Sequence, residues 1–101
     1  MNKKICLFLA AVLALVCQTV VAQISRTLIY SKGENGFNTY RIPAIVQTNK
    51  GTLLAFAEAR KNSRSDTGDI DLVVKRSEDG GKTWGKIITV WDDGGNVCGN
   101  P

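Results

Sequence analysis

Hydrophobic and polar positions divide the chain into two unlike parts. Residues 5–17 are an unbroken run of 13 apolar side chains behind Asn2, Lys3 and Lys4. Beyond residue 22, apolar positions come in short runs separated by clusters of Gly, Asn, Asp and Ser. Five runs predict strands: 28–30 (LIY), 41–48 (RIPAIVQT), 52–59 (TLLAFAEA), 69–76 (DIDLVVKR) and 86–91 (KIITVW). In the fourth, Ile70, Leu72 and Val74 alternate with period two and so share one face, with Asp71 opposite. The third could be scored as a helix, because Ala, Leu and Glu favour one. Its place between two turn signals, with strands on both sides, selects a strand. Asn49-Lys50-Gly51 is a hairpin-turn signature. No stretch supports a long amphipathic helix. Short strands at this spacing predict an all-β meander from a sandwich, a barrel or a propeller.

Composition sharpens the division. The first 22 residues hold 17 of the 44 apolar side chains, and all ten Gly fall after them. The positive start, the apolar run, and Val20 and Ala22 at the −3 and −1 positions predict a secretory signal peptide, residues 1–22, cut after Ala22. A membrane-spanning helix needs about 20 apolar residues, and this run gives way at Gln18-Thr19. Residues 23–101 form the mature stretch, which then has no membrane span, and the expected location is secreted, periplasmic or at the cell surface. Cleavage would remove Cys6 and Cys17, leaving Cys98 as a buried thiol or as the partner of a cysteine further along a longer protein. The mature stretch carries eleven basic and nine acidic side chains, too weak an excess to predict nucleic-acid binding. With no His, these residues hold no Ser-His-Asp triad, Cys-His pair or HExxH site. Three Cys without CxxC spacing make no four-cysteine zinc site. A body of about 80 residues buries only about 60% of its unfolded surface, and the sequence stops after a strand and a loop, so it is expected to be the N-terminal piece of something longer.

One turn carries a motif. Residues 77–84 read S-x-D-x-G-x-T-W. Ser77 and Asp79 can accept from backbone N–H groups of the turn, Gly80 and Gly81 can supply positive φ, and Trp84 can close its indole over them. With Thr83 this resembles the Asp-box hairpin of sialidases and other β-propellers, which joins the third and fourth strands of a blade. Tyr40-Arg41-Ile42-Pro43 resembles the (Y/F)RIP motif of exo-α-sialidases. Glu58-Ala59-Arg60, with Asp66 six residues after the Arg, resembles the segment that carries their acid/base. All three occur in that order within 45 residues, and the resemblance, to the bacterial exo-α-sialidase family, covers residues 27–101. It implies one four-stranded antiparallel blade from the N-terminal portion of a six-bladed β-propeller, with residues 28–30 belonging to another blade.

The resemblance also implies a chemistry. The substrates would be sialylated glycoproteins, glycolipids or oligosaccharides, cleaved with retention and without cofactor or metal. Sialic acid bears a carboxylate on its anomeric carbon, and a guanidinium holds such an anion with fixed geometry. Arg41 matches the first Arg of the family's carboxylate-binding triad. Pro43 should bias Ile42 to an extended conformation and stiffen the strand entrance. Asp66, in the polar loop 61–68, matches the acid/base, whose protonated form would have to be favoured by burial or by a bound anion. Asp69 and Asp71 are its rivals. Arg60 either contacts the sugar near the 4-hydroxyl or pairs with Glu58 or Asp66. Asn100, or Asp92 or Asp93 in the loop before it, is a candidate sugar contact, whereas Phe56 and Trp91 are assigned to packing. The family's nucleophile is a Tyr assisted by a Glu; both, with two more arginines, are expected downstream, so the 101 residues alone should be inactive. Trans-sialidases and glycosidases of related keto-acid sugars would share these motifs. A non-catalytic Asp-box propeller would explain the turn but not Arg41 and Asp66 together.

Overall fold

The computed structural model describes residues 2–4 and 23–101, so most of the predicted leader lies outside the described residues. Four strands follow in chain order: β1 (Thr39–Gln47), β2 (Leu53–Arg60), β3 (Ile70–Ser77) and β4 (Ile88–Trp91). They make one antiparallel sheet in the order β1-β2-β3-β4. This is an open all-β meander, compatible with a single propeller blade. Among the described residues no helix is long and apolar enough to cross a membrane.

The segment read as ambiguous, 52–59, forms β2. Its alanines explain why a helix loses. Ala55, Ala57 and Ala59 alternate on one face and are almost fully buried, because the rings of Tyr30, Phe37 and Tyr40 lie against that face. A small side chain lets a ring approach the sheet closely, and only period two puts all three alanines under it.

Three expectations fail here. Residues 28–30 form no strand. Their β-favouring side chains serve as cover instead: the Tyr30 hydroxyl donates to the Ala55 carbonyl at 2.7 Å, and its ring stacks on Tyr40 at 4.9 Å. Burial pushes the Tyr30 hydroxyl up to about 12, so it remains a donor at physiological pH. The face shared by Asp71 and Val73 was expected to be the polar one; it is instead deeply buried, with Lys75 and Ser77 on it. Lys75 is accommodated because its ammonium donates to the Ile29 carbonyl and pairs with Glu34. Trp91, assigned to packing, is 63% exposed. It lies on the edge strand, on the sheet face that the 29–40 segment does not cover.

β1 also departs from expectation. Arg41 pairs with Glu58 and Ala44 with Phe56, so Ile42 and Pro43 together oppose Ala57. This is a β-bulge, and Ile42 adopts φ 54° rather than an extended conformation. Such a backbone costs a branched residue about 1–3 kcal/mol. The extra residue changes the parity of the strand. Tyr40 can then face the alanines while Arg41 and Ala44 both face the other way.

The β3–β4 hairpin is built around Asp79. Its Oδ1 accepts from the Ser77 hydroxyl and the Thr83 N–H, each at 2.9 Å, and its other oxygen accepts from the Thr83 hydroxyl. Ser77 Oγ accepts from the Gly81 N–H at 2.9 Å. The Trp84 indole N–H closes on the Gly81 carbonyl at 3.2 Å. Gly80 and Gly81 have φ of 74° and 89°, values that favour Gly. The Thr83 hydrogen bonds hold the Asp79 carboxyl down at about 2, below the ordinary unfolded value near 3.9. A depressed folded value means the anion's contribution is complete above the unfolded value and fades as pH falls through the folded one. The stability gap between the native protein and Asp79→Ala should therefore be flat above about pH 4 and narrow towards pH 2. Denaturant titrations at stepped pH would show it, and a gap that stays constant down to pH 2 would contradict it.

Candidate functional site

The ends of β1 and β2 and the loop 61–69 bring three of the motif residues together. Because Arg41 pairs with Glu58 across the two strands, and Arg60 lies two residues on, all three project from one face. Arg60 Nη1 donates to Asp66 Oδ1 at 2.7 Å, and Arg41 Nη1 reaches the same oxygen at 3.3 Å. The two guanidiniums thus converge on one carboxylate. Their surroundings differ sharply: the Arg60 side chain is 3% exposed, Arg41 48% and Asp66 79%.

Arg60 is held from behind. Its Nε and Nη2 donate to Glu58 Oε2 at 3.0 and 2.6 Å, and Nη1 also donates to the Arg64 carbonyl at 2.7 Å. Four hydrogen bonds thereby occupy a group with five donors. The hydrogen bonds that Arg60 donates to Glu58 strengthen its hold on its proton, against the opposing effect of burial, and the one to Asp66 adds to them. The expected pairing of Arg60 with Glu58 or Asp66 is realised with both partners at once. Sequence reasoning gave Glu58 no role beyond that pairing. Its second oxygen, Oε1, accepts from the Asn100 N–H at 3.2 Å, which ties the loop after β4 to the centre of the site. A Cβ on Gly99 would stand 2.6 Å from that oxygen, so the loop approaches as closely as it does only through a glycine. The signal was present in the EAR motif, but the partner is 42 residues away.

A cleft of about 600 Å³ opens over this cluster, lined by Arg41, Ile42, Arg60, Asp66, Val97 and Asn100 among others. Its volume lies within the usual range for small-molecule sites. The lining is mostly polar, with two permanent cations and one exposed carboxylate. That arrangement can accept an anion at Arg41 and offer a carboxyl group beside it. Ile42, the strained residue of the bulge, forms part of the wall, and Asn100 enters it with φ 58°.

The other candidates lie apart. Asp71 pairs with Ala59 on the opposite face and does not line the cleft. Burial first, then the charges on Asp92 and Asp69, push its carboxyl above the ordinary Asp range. Asp69 pairs with Lys61 at 3.7 Å. Asp92 and Asp93 accept from Gly94 N–H and the Asn96 amide within their own turn. Cys98 is buried and unpaired among the described residues.

Comparison with known proteins places this geometry in context. No family model matches the chain. An exo-alpha-sialidase of Arthroderma benhamiae is 42% identical over 72 residues, 65% of this chain and 18% of that protein. A sialidase of Bacteroides fragilis is 46% identical over 56 residues, covering 54% and 10%. A sialidase of Micromonospora viridifaciens is 43% identical over 54 residues, covering 54% and 8%. The chain spans less than a fifth of the length of these curated relatives. Fungal and bacterial relatives agree on a sialidase-family segment.

Proposed function

We propose, from the sialidase-family segment this chain carries, that the whole protein is an exo-α-sialidase on a six-bladed β-propeller. As a secreted, periplasmic or cell-surface enzyme it would release terminal α-linked sialic acid from glycoproteins, glycolipids or oligosaccharides, with retention. The observation that supports this reading most is the convergence of Arg41 and Arg60 on Asp66 at the mouth of a polar cleft.

The geometry suggests a division of labour. Arg60 is buried with four hydrogen bonds already made, so it fixes Asp66 rather than seeking a new ligand. Arg41 is half exposed, and its contact with Asp66 is the longer one. An exposed pair of this kind is worth about 0–1 kcal/mol, less than a bidentate guanidinium–carboxylate contact. The substrate's carboxylate can therefore take Arg41 from Asp66. Asp66 then exchanges one of its two arginine partners for the bound sugar, while Arg60 keeps it in place. The protonated carboxyl would donate to the leaving glycosidic oxygen, and its conjugate base would later activate water. The Tyr nucleophile, its Glu and two further arginines would come from residues outside these 101.

Arg41→Ala in the full-length protein tests the carboxylate role. With a fluorogenic sialoside, kcat/KM should fall about 10- to 150-fold, the range for hydrogen bonds to a charged group, mostly through KM. Arg41→Lys should restore little of it. An unchanged KM would remove Arg41 from substrate binding, and a full-length protein inert on every sialoside would remove the reading itself.

A further inference from the structure

Three carboxylates gather where β3 begins and β4 ends. Asp69 precedes β3, Asp71 is its second residue, and Asp92 follows Trp91 at the end of β4. One oxygen from each lies within 4.8 Å of the other two. The cluster is separate from the cleft, because Asp71 shares its face with Ala59 and not with Glu58. Such a cluster can be no more than an acidic patch on a surface. Here it is not, since Asp71 is only 5% exposed and its Oδ1 has no hydrogen-bond partner among the described residues. Leaving a buried carboxylate oxygen without a donor is costly, and two more carboxylates beside it add repulsion.

We propose that Asp69, Asp71 and Asp92 hold a Ca²⁺ ion that fastens the loop after β4 to the start of β3. All the donors are hard oxygens, the class that Ca²⁺ takes at about 2.3–2.6 Å. Oxygens on opposite sides of such an ion stand about 4.6–5.2 Å apart, and the cluster spans no more than that. Ca²⁺ also accepts irregular shells completed by water, whereas Mg²⁺ demands near-ideal octahedral geometry at shorter distances. Charge balances as well: three carboxylates meet a divalent ion and the Lys61 ammonium, 3.7 Å from Asp69. The neighbouring backbone is already fixed in place, since the Cys98 N–H donates to the Ile70 carbonyl at 2.8 Å and the Ile70 N–H to the Asn96 carbonyl at 3.4 Å. The ion would complete that fastening and so steady the stretch that delivers Asn100 to Glu58.

The competing arrangement is a single proton shared between Asp71 and Asp92, which would use no ion. Calorimetric titration of the chelator-stripped full-length protein with CaCl₂, and in parallel with MgCl₂, separates the two. The expected result is saturable Ca²⁺ binding, tighter than Mg²⁺, that weakens about tenfold or more in both Asp69→Asn and Asp92→Asn. These two residues are not deeply buried, so both variants should fold, and retained Asp79-dependent stability would verify it. Absence of binding, or the same stoichiometry and affinity in both variants, would overturn the proposal. So would an Asp71→Asn protein that is more stable than the parent and indifferent to Ca²⁺, because that is the behaviour of a proton-sharing pair. None of these readouts depends on sialoside turnover, so the ion site and the enzymatic reading can fail separately.

Discussion

Arg60→Ala in the full-length protein should lower stability to denaturant by about 3–5 kcal/mol, the cost of stripping one partner from a buried ion pair. The substitution removes four hydrogen bonds. It also leaves the buried Glu58 with Oε2 unpaired, and an orphaned buried charge weighs more than the bonds themselves. Replacing both members, as Glu58→Met with Arg60→Met, should recover much of the loss, since paired apolar side chains of similar size often match a buried salt bridge. If the double variant loses as much as the single ones together, the two residues do not act as a pair. Any recovery of stability in the double variant should come without activity, because Asp66 would have lost its stronger anchor. That split between folding and turnover distinguishes a positioning role for Arg60 from a purely structural one.

The strands were legible because their physics is local. Turn residues at 49–51 and 77–81 and period-two patterning bracket β2 and β3 to within a residue. The Asp-box was legible for the same reason, since Asp79 finds all its partners within four residues. What escaped depends on partners far along the chain. Nothing near Lys75 says that it is buried, because the Ile29 carbonyl and Glu34 that receive it lie more than 40 residues earlier. Asp71 looked like a solvent-facing strand residue until Tyr30, Phe37 and Tyr40 were seen to cover its face. The bulge at Ile42 was hidden for another reason: a proline to its right argues for extended backbone, and only the register with β2 shows that one residue is extra. In the site, position along the motif made Arg41, Arg60 and Asp66 candidates, but did not say which arginine is free. Burial decides that, and burial is not local.

Asp66→Ala should have the largest kinetic effect in the chain, and its size should depend on the substrate. A positioned proton donor contributes about 10²- to 10⁴-fold. Natural sialosides leave as poorly stabilised alkoxides and need that proton, so their kcat/KM should fall by this factor. Aryl sialosides with acidic phenols leave with little help and should fall far less. Folding should not confuse the result. Asp66 is exposed, and exposed substitutions usually change stability by no more than about 0.5 kcal/mol, although here Arg60 also loses one acceptor. Asp66→Asn sharpens the comparison, because an amide keeps an oxygen for Arg60 but has no carboxylic proton to give. If Asn and Ala are equally slow on alkyl sialosides and both nearly normal on aryl ones, Asp66 donates the proton. Equal loss on both substrate classes would instead mean that Asp66 only props the loop 61–69 against Arg60. The acid would then have to be sought elsewhere than at Asp69, three residues on, which gathers with Asp71 and Asp92 and does not line the cleft.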